Sequence, residues 1–446
     1  MPAVFLFVTF APMLNTNTTS LKHILVISCF LVSFTTIAQQ QGSLMDLDLD
    51  STRKMFNTWK TFDGVRFNGY IQPQFQVAQQ NGARNFNGGD FAPNVSNRFM
   101  LRRGRLRISY THLNKNQEPT VNFVFQFDGT ERGVFIRDFW GRFYEHRFNC
   151  FSFSMGMLPR PFGFEVNLGS ADRESLERGR MSQLLMRVER DLGFMITMES
   201  SKAKNWFRYV KIDVGFFNGQ GLTATADFDN HKDLIGRLSL KPVKIHKSIL
   251  AGSLSGFLGG MQQFTPTIYR TENARVKADS TSSNLGKIAP RHYLGADVQF
   301  KIPNRKGFTE LRAEYIFGEQ TATFESSESP GVIPVANGKN LPLYIRHFNG
   351  AYFYFLQHLG STKNQLVIKY DWYDPNTRVS GKQIGPGFSW ADIRYNTLGF
   401  GLVHHLNDNL KATLWYEIPT NETTVLSGYT TDQLDNTFTC RLQYRF

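Results

Sequence analysis

The stretch Met157–Phe194 is dense in side chains that could carry acid–base chemistry. It opens with a Pro-Arg-Pro-Phe-Gly turn at 159–163 and lies between two strand-like runs. Between 158 and 190 its charged residues are six arginines and five carboxylates: Arg160, Arg173, Arg178, Arg180, Arg187, Arg190, Glu165, Asp172, Glu174, Glu177 and Glu189. Whether the stretch performs catalysis or shapes a passage depends on what the flanking runs build.

A second group with chemical potential is the alternating set Arg103, Arg105 and Arg107. The residues between and after them, such as Leu106 and Ile108, are apolar. A guanidinium group is always charged and can bind an oxyanion through two hydrogen bonds. If the apolar face meets lipid, the three arginines form a track for anions. The alternative is that they pair with acidic neighbours and stiffen a wall, and the pattern alone favours neither.

Other motifs give weaker chemical signals. Gly219–Ala224 imitates a dinucleotide-binding fingerprint, but no helical pattern follows it to supply the phosphate-binding terminus. His404 and His405 have no third ligand at a metal-binding spacing. Cys150 and Cys440 lie in distant strand-like runs and need not pair. No grouping of serine, histidine and acid stands out, so we expect no enzyme activity, cofactor or metal.

Composition favours strands and an anionic partner. The 446 residues are 41% hydrophobic and include 41 Phe and 16 Tyr, with a net charge of +13. A basic chain attracts lipid A, nucleic acid or anionic solutes. Nucleic acid is disfavoured, because strand periodicity combines here with an export signal. That signal is Lys22, the apolar run 24–34 and small residues up to Ala38, which predict a cleaved signal peptide over 1–38.

Residues 39–64 are polar and are predicted to form a short periplasmic segment. After the signal peptide, no apolar run approaches the roughly 18 residues that a membrane helix needs. If the mature chain crosses a membrane, it must therefore cross with strands.

From residue 65 onward, apolar and polar residues alternate with a period of two, as in Phe151, Phe153 and Met155. The predicted strands are 65–78, 98–111, 121–128, 134–144, 150–157, 191–200, 206–217, 233–242, 251–262, 292–301, 308–318, 346–357, 364–373, 394–405, 410–418 and 436–446. Long and short connections alternate, the short second loop 129–133 excepted. We predict an all-β fold: a transmembrane antiparallel β-barrel of about sixteen strands over 65–446.

A soluble β-sandwich or β-propeller would not explain the asymmetry of loop lengths, and closure of the sheet satisfies every strand edge in lipid. An even number of strands places both termini on the periplasmic, short-turn side. The final strand is amphipathic and ends at Phe446. It resembles the signal that the outer-membrane assembly machinery reads, so we expect the bacterial outer membrane as the location.

Several motifs in order along the chain resemble the phosphate-selective porins O and P, which are trimeric sixteen-stranded channels. They are FMLRRGRL at 99–106, GMLPRPFGFE at 156–165, LER at 176–178, FNG at 217–219, GRL at 236–238, KYD at 369–371 and DPN at 374–376. The resemblance implies a homotrimer that conducts small hydrophilic solutes, with phosphate or polyphosphate as the implied substrate. It also implies that loop 158–190, the third long loop, folds inward to narrow the channel.

The predicted sites follow from the barrel and from this resemblance. Residues expected to line the pore or bind solute are Arg103, Arg105, Arg107, Arg160, Arg178, Arg180 and Arg237. Glu165 and Glu177 are expected to hold the loop in place through ion pairs, and Arg160 is the loop arginine expected to meet solute. Alternation along the strands places twelve basic and nine acidic side chains inward, which predicts a mild anion preference.

Three alternatives remain open at this level. The first is a channel specific for another solute such as an oligosaccharide, which a ladder of aromatic residues in the lumen would favour. The second is an enzyme built on a barrel, and the third is a structural or adhesive barrel with a plugged lumen.

Overall fold

The computed structural model describes residues 64–200, 206–222 and 226–446. The predicted signal peptide 1–38 and the segment 39–64, except for its last residue, lie outside these ranges. The strands are β1 Val65–Ala78, β2 Asn97–Leu113, β3 Pro119–Thr130, β4 Gly133–Tyr144, β5 Phe151–Pro159, β6 Arg190–Glu199, β7 Val210–Phe217, β8 Asp233–Ile245, β9 Ser248–Gln262, β10 Ile268–Glu272, β11 Arg275–Asp279, β12 Ile288–Asn304, β13 Gly307–Thr323, β14 Val335–Ala336, β15 Lys339–Asn340, β16 Leu343–His358, β17 Asn364–Asp374, β18 Tyr395–His405, β19 Leu410–Asn421 and β20 Thr437–Arg445.

Sixteen of these strands form a closed antiparallel barrel, because each pairs with its neighbour in the chain and β20 pairs back with β1. The closure extends to the last residue: the backbone N–H of Phe446 donates to the carbonyl of Gly69 at 3.0 Å, and the reverse bond is also 3.0 Å. A Cβ at Gly69 would lie 2.6 Å from the Phe446 ring, so the close approach requires glycine. The prediction of a sixteen-stranded barrel is confirmed.

The strand ends differ from the prediction at the long loops. The sheet extends past the predicted limits in β12, β13 and β16. The long loops also contain two hairpins, β10–β11 and β14–β15, that were predicted as loop. Conversely, residues 206–209 form a 3₁₀ turn, so β7 is shorter than predicted. Alternation of apolar and polar residues identifies a strand where one face meets lipid and the other meets the lumen. It does not identify the strand ends whose two faces are both covered by protein.

The two ends of the barrel differ in the length of their connections. Five of the connections at one end are 79–96, 160–189, 263–287, 324–342 and 375–394, and those at the other end include 246–247, 305–306 and 406–409. Bacterial barrels carry long loops outside the cell and short turns in the periplasm. The long-loop end is accordingly the extracellular end.

The outer surface is apolar and the inner surface polar, as β12 illustrates. Leu294 and Val298 are exposed on the outside, whereas Asp297, Gln299 and Lys301 face inward and are buried. Because a closed sheet with an apolar outer belt satisfies its backbone without water, it suits a lipid bilayer. The chain is a multi-pass β-barrel of the bacterial outer membrane.

One short helix, α1 Arg180–Leu185, lies in the connection between β5 and β6. Among the residues that the structure describes, no helix is both long enough and apolar enough to span a bilayer.

Four register shifts interrupt the pairing of the described strands, and two of them turn an arginine into the lumen. Next to Gln72 and Pro73 of β1, Arg102 is the extra residue of β2. Proline lacks a backbone N–H and is tolerated at such an irregularity. Next to Gln126 of β3, Arg137 is the extra residue of β4. A bulge redirects a side chain, and both arginines contact glutamates of the loop 160–189.

Candidate functional site: the third loop and the two walls of the lumen

The loop 160–189 lies inside the barrel, and its Pro-Phe-Gly-Phe-Glu turn is the first anchor. Gly163 adopts a φ of +65° and its N–H donates to Ser255 Oγ at 3.0 Å. The next two amides, of Phe164 and Glu165, donate to the carboxylate of Glu314 at 3.2 and 3.1 Å. A Cβ at position 163 would lie 2.2 Å from Glu314 Oε1, so the turn requires glycine for its conformation and for this approach.

Glu165 is buried behind this turn and joins the loop to β16 and β17. Its carboxylate accepts hydrogen bonds from Lys369 Nζ at 2.8 Å and Tyr354 Oη at 2.9 Å. It also accepts from the N–H of Gly179 and from Ser182 Oγ, at 2.9 and 2.7 Å. Burial raises the pKa of Glu165, but Lys369 and Arg173 outweigh it and lower the pKa to about 2.

The loop packs on a row of inward-facing rings that we call the aromatic wall: Phe257 of β9, Tyr293 of β12, Phe348 of β16 and Tyr373 of β17. Neighbouring ring centroids are 4.9, 5.2 and 6.1 Å apart. Phe162 of the loop is fully buried and lies edge-on to Phe257 and Tyr293, with both centroid distances 6.2 Å. The same buried cluster includes Val166, Met181, Leu185 and Met186 from the loop. The interior of the barrel therefore contains a hydrophobic core.

The opposite side of the lumen carries a set of guanidinium groups that we call the arginine wall. It consists of Arg102, Arg103, Arg105 and Arg107 of β2 and Arg137 and Arg142 of β4. Its main contact with the loop is Glu177. The Glu177 carboxylate accepts from Arg103 at 2.7 and 2.5 Å, from Arg102 at 3.0 Å and from Arg441 of β20 at 2.9 Å.

Glu177 is buried among these arginines. Burial raises the pKa of its carboxyl group, but Arg102, Arg103 and Arg441 together hold that pKa well below its usual range. The carboxylate is thus ionised throughout the physiological range and ties the loop to β2 and β20.

A second loop carboxylate, Glu189, makes the corresponding contact with β4. It bonds to Arg137, and its Oε1 lies 2.6 Å from Arg190 Nη1 and its Oε2 3.6 Å from Arg178 Nη2. Burial raises the pKa of Glu189, but Arg137, Arg178 and Arg190 keep it well below its usual range. Arg190 also bonds to Asp138 at 2.9 Å. Both bulge arginines thus bind a loop glutamate.

The loop is attached on a third side by Glu174 and Asp172. Glu174 binds Arg312 of β13 through two hydrogen bonds of 2.8 and 2.9 Å, a bidentate geometry. Asp172 bonds to Arg445 at 2.9 Å, and that arginine side chain is half exposed. Three sides of the lumen therefore hold the same loop.

The strand arginines predicted to line the pore or bind solute have different surroundings. Arg103 and Arg105 are buried, and Arg105 pairs with Asp128 at 3.0 Å. Arg107 is partly exposed and, within the described chain, makes no ion pair; it interacts at longer range with Asp138, Arg142 and Arg190. Arg237 is partly exposed, donates to Ser253 Oγ at 2.8 Å and forms an ion pair with Asp297 at 3.4 Å.

The three loop arginines predicted to line the pore or bind solute, among them Arg160, which was expected to meet solute, also make contacts within the protein. Arg160 is buried and donates to the carbonyl of Val188. Arg178 donates to the carbonyl of Met186 at 3.1 Å. The guanidinium carbon of Arg180 lies 3.6 Å from the centre of the Tyr395 ring and 4.3 Å from that of Phe86. Each of them therefore contacts protein groups that hold the loop.

Sequence reasoning missed four arginines at this site. Arg102 and Arg137 face inward because of bulges, and nothing in the local pattern marks these. Arg441 and Arg142 were correctly placed inward by alternation but were not selected, because their contacts depend on distant strands. Arg142 donates to Ser154 Oγ at 2.8 Å, is partly exposed and, like Arg107, has no ion pair among the described residues.

The arginine wall has an excess of positive charge. Its six arginines, with Arg190 and Arg441, face the carboxylates of Asp128, Asp138, Glu177 and Glu189. Eight guanidinium groups against four carboxylates leave four positive charges in excess. On the inner surface of β12, β13 and β17, by contrast, the charged side chains Asp297, Glu310, Arg312, Glu314, Lys369 and Asp371 are buried. Partly exposed charged side chains that face inward occur on β2 to β8, as at Arg107, Arg142 and Arg237, and also on β19, at Lys411 and Glu417.

In the ranges that the structure describes, no cluster of three or more His, Cys, Asp or Glu suited to a metal occurs.

A closed sixteen-stranded barrel with an apolar exterior, a charged lumen and an inward-folded loop has the architecture of the outer-membrane porins. Similar solved structures include OprB of Pseudomonas putida, with a TM-score of 0.56 and 9% identity over 86% of this chain and 94% of that one. DcaP, an outer-membrane channel of Acinetobacter baumannii, has a TM-score of 0.52 and 10% identity over 87% and 99%. An anion-selective porin from Comamonas acidovorans has a TM-score of 0.50 and 9% identity over 86% and 99%.

At these identities the similarity establishes the fold. No protein-family model matches the chain, and no curated protein matches its sequence.

Proposed function

We propose that the protein is an outer-membrane channel through which small hydrophilic solutes diffuse passively, with a preference for anions. The observation that carries the proposal is the charge excess of the arginine wall. Within it, Arg107 and Arg142 are partly exposed and make no ion pair in the described ranges, and Asp138 acts on Arg107 only at longer range. Guanidinium groups that line an aqueous path stabilise passing anions and repel cations.

The remaining wall arginines are assigned a supporting role. Arg102, Arg103 and Arg137 bind loop carboxylates, so they position the loop. We assign solute contact to Arg107 and Arg142 first and to the partly exposed Arg237 second.

Reversal potentials in a potassium chloride gradient across a planar bilayer test the anion preference. In the double variant Arg107→Ala with Arg142→Ala, we expect the anion-to-cation permeability ratio to fall about twofold to fivefold. The matched control is Arg305→Ala with Lys306→Ala, which removes the same charge from an exposed periplasmic turn. An unchanged ratio in the first variant, or an equal fall in the control, would contradict the assignment. Absence of any conductance by the parent protein would refute the channel.

We further infer that phosphate or another oxyanion is the solute class, which rests on the resemblance to the phosphate-selective porins and on the bidentate binding that guanidinium groups offer. The expected result is that millimolar phosphate reduces the chloride current of the parent protein and not that of the Arg107 and Arg142 double variant. Equal reduction in both proteins would remove phosphate from the proposal and leave general anion preference intact.

The structure supplies an observation on the alternative of an oligosaccharide channel. A row of aromatic rings does line the lumen, but Phe257, Tyr293, Phe348 and Tyr373 are buried in the cluster that contains Phe162 and Met181 of the loop. Rings covered by protein offer no face to a sugar, so they support a role in seating the loop.

A homotrimer is also part of the proposal and rests on the same resemblance. The final strand supports a role for Phe446 in assembly, because its backbone closes the barrel against Gly69. Analytical ultracentrifugation in detergent tests the trimer, and a monomeric mass would overturn it.

A further inference from the structure

Two adjoining grooves run down the outside of the barrel. The first lies nearer the extracellular end, across β9, β12, β13 and β16, and has a volume of about 540 Å³. Leu258, Leu294, Tyr315 and Phe317 line its apolar portion, and all four side chains are substantially exposed. The chain thus presents an open apolar furrow, which we call the rim groove, on its lipid-facing side.

A second groove continues the first toward the periplasm. It has a volume of about 460 Å³ and is lined by Val298, Phe300, Leu311, Phe353 and Phe355, among others. The strand register shows that the two are adjacent. Tyr315 of the first lies opposite Ala296 and Ala351, and the next outward row is Val298, Ala313 and Phe353. Alanines between aromatic rings make a long shallow channel, which matches the shape of an extended hydrocarbon chain.

The extracellular end of the rim groove is polar. His292, Glu319 and His347 lie side by side on three adjacent strands. His347 Nε2 is 3.4 Å from Glu319 Oε1 and 2.9 Å from Arg378 Nη2. Arg270, on the hairpin strand β10, also interacts electrostatically with His347.

The charge at this end favours an anionic headgroup. Arg270 and Arg378 are both exposed. Among the described residues Glu319 is the carboxylate that interacts with His347, so the two arginines leave a net positive charge here even when both histidines are neutral. Thr377, which also lines the groove, belongs to the long connection 375–394. The polar end therefore lies at the extracellular side, at the level of the outer-leaflet headgroups.

We propose that this surface binds a phosphorylated, multiply acylated glycolipid of the outer leaflet, with the chemistry of lipid A. A headgroup phosphate is held by Arg270 and Arg378, and acyl chains occupy the two grooves. Exposed guanidinium groups attract anionic lipid headgroups, and the aligned apolar rows accommodate chains that run parallel to the bilayer normal. The site is on the outside of the barrel and does not depend on what passes through the lumen.

Retention of diphosphoryl lipid A by the purified full-length barrel in detergent, measured by native mass spectrometry, tests the proposal. We expect the affinity of the double variant Arg270→Ala with Arg378→Ala to fall about fivefold for each arginine removed. The variant Arg305→Ala with Lys306→Ala removes equal charge at the periplasmic end and should bind as the parent does. Phosphatidylglycerol, with one phosphate and two chains, should bind more weakly than lipid A to the parent.

A further variant examines the apolar part of the site. Leu294→Ser places a hydroxyl group in the rim groove and should reduce lipid A retention while the oligomeric mass stays the same. If Leu294→Ser changes the oligomeric mass instead, a second copy of the chain covers the groove and the lipid proposal is overturned. Equal lipid A binding by the parent and the Arg270 and Arg378 double variant would also overturn it. Conductance should be unchanged in these variants, which separates this test from that of the channel.

Discussion

The arginine wall and the aromatic wall hold the same loop from opposite sides of the lumen, but by different physical means. On the arginine wall, Glu177 and Glu189 bind guanidinium groups on β2, β4 and β20. On the aromatic wall, Phe162 and Met181 pack among rings from four strands, with Glu165 as the main ionic contact. Apolar packing fills space, whereas the buried ion pairs of Glu177 and Glu189 engage only some of the guanidinium groups of the arginine wall. The aromatic side consequently closes part of the lumen, and the arginine side is where charge remains partly exposed.

This difference separates two roles that one residue type can have. Arg103, held by Glu177, contributes structure. Arg107, two residues further along the strand, has no ion-pair partner in the described chain and is available to a passing ion. Removing residues from each wall should therefore give different effects on stability and on selectivity.

The largest effect on stability is expected at the centre of the aromatic wall. Phe162→Ala leaves a cavity among Phe257 and Tyr293 and should lower the free energy of unfolding by about 3–5 kcal/mol. Urea titration of the barrel in lipid vesicles measures this. The control Phe148→Ala, in an exposed periplasmic turn, should change stability by less than about 0.5 kcal/mol. Equal effects from the two substitutions would mean that the loop does not pack as a core.

A somewhat smaller effect is expected on the arginine wall. Glu177→Gln leaves Arg102, Arg103 and Arg441 without their common counterion, which should lower the free energy of unfolding by about 3 kcal/mol. The matched control is Asp172→Asn, because its partner Arg445 is half exposed and such pairs contribute at most about 1 kcal/mol. Proteolysis within 160–189 would report the loosened loop directly. A loop as resistant as that of the parent would contradict the role of Glu177.

Acid should release the loop from both walls, and the pKa values of the loop glutamates set the pH range in which this happens. The pKa of Glu165 is lowered to about 2, and those of Glu177 and Glu189 lie well below their usual range. In the unfolded chain a glutamate has a pKa of about 4.3, and a lower pKa in the folded state stabilises the folded protein at pH values above that. The stabilisation by these glutamates is therefore complete at neutral pH and is lost as pH falls below about 4. Single-channel conductance should thus be steady from about pH 8 to 5 and become noisy near pH 3. A transition centred near pH 6 would show that other groups hold the loop.

The smallest effect on stability is expected where the effect on selectivity is largest. Arg107→Ala with Arg142→Ala should change the free energy of unfolding by no more than about 0.5 kcal/mol, because neither arginine holds the loop by an ion pair. Urea titration alongside the reversal potentials checks both properties in one protein. A loss of several kcal/mol would place these two arginines with Arg103 among the structural ones.

The barrel could be predicted from the sequence because its main signal is local. In each strand, odd and even positions point to opposite faces of the sheet. The faces of Leu294 and Asp297 can therefore be predicted without knowledge of the neighbouring strands. The same parity correctly placed Arg103, Arg105 and Arg107 on one inner face, and the loop-length asymmetry gave the closed layout. The same parity places rings of the aromatic wall, such as Phe257 and Tyr293, on the inner face. It does not show that the loop covers them.

The tertiary structure alone decided which charges are paired and which remain exposed. Arg102 and Arg137 turn inward only because bulges form where β2 meets β1 and β4 meets β3, and a bulge is a property of two paired strands. Glu177 binds arginines that are 75 and 264 residues away in the chain. Such contacts depend on closure of the barrel and on the path of the loop across it. The sequence by itself determined an outer-membrane barrel rich in inward arginines, and the packing of one loop determined which of those arginines hold structure and which face the lumen.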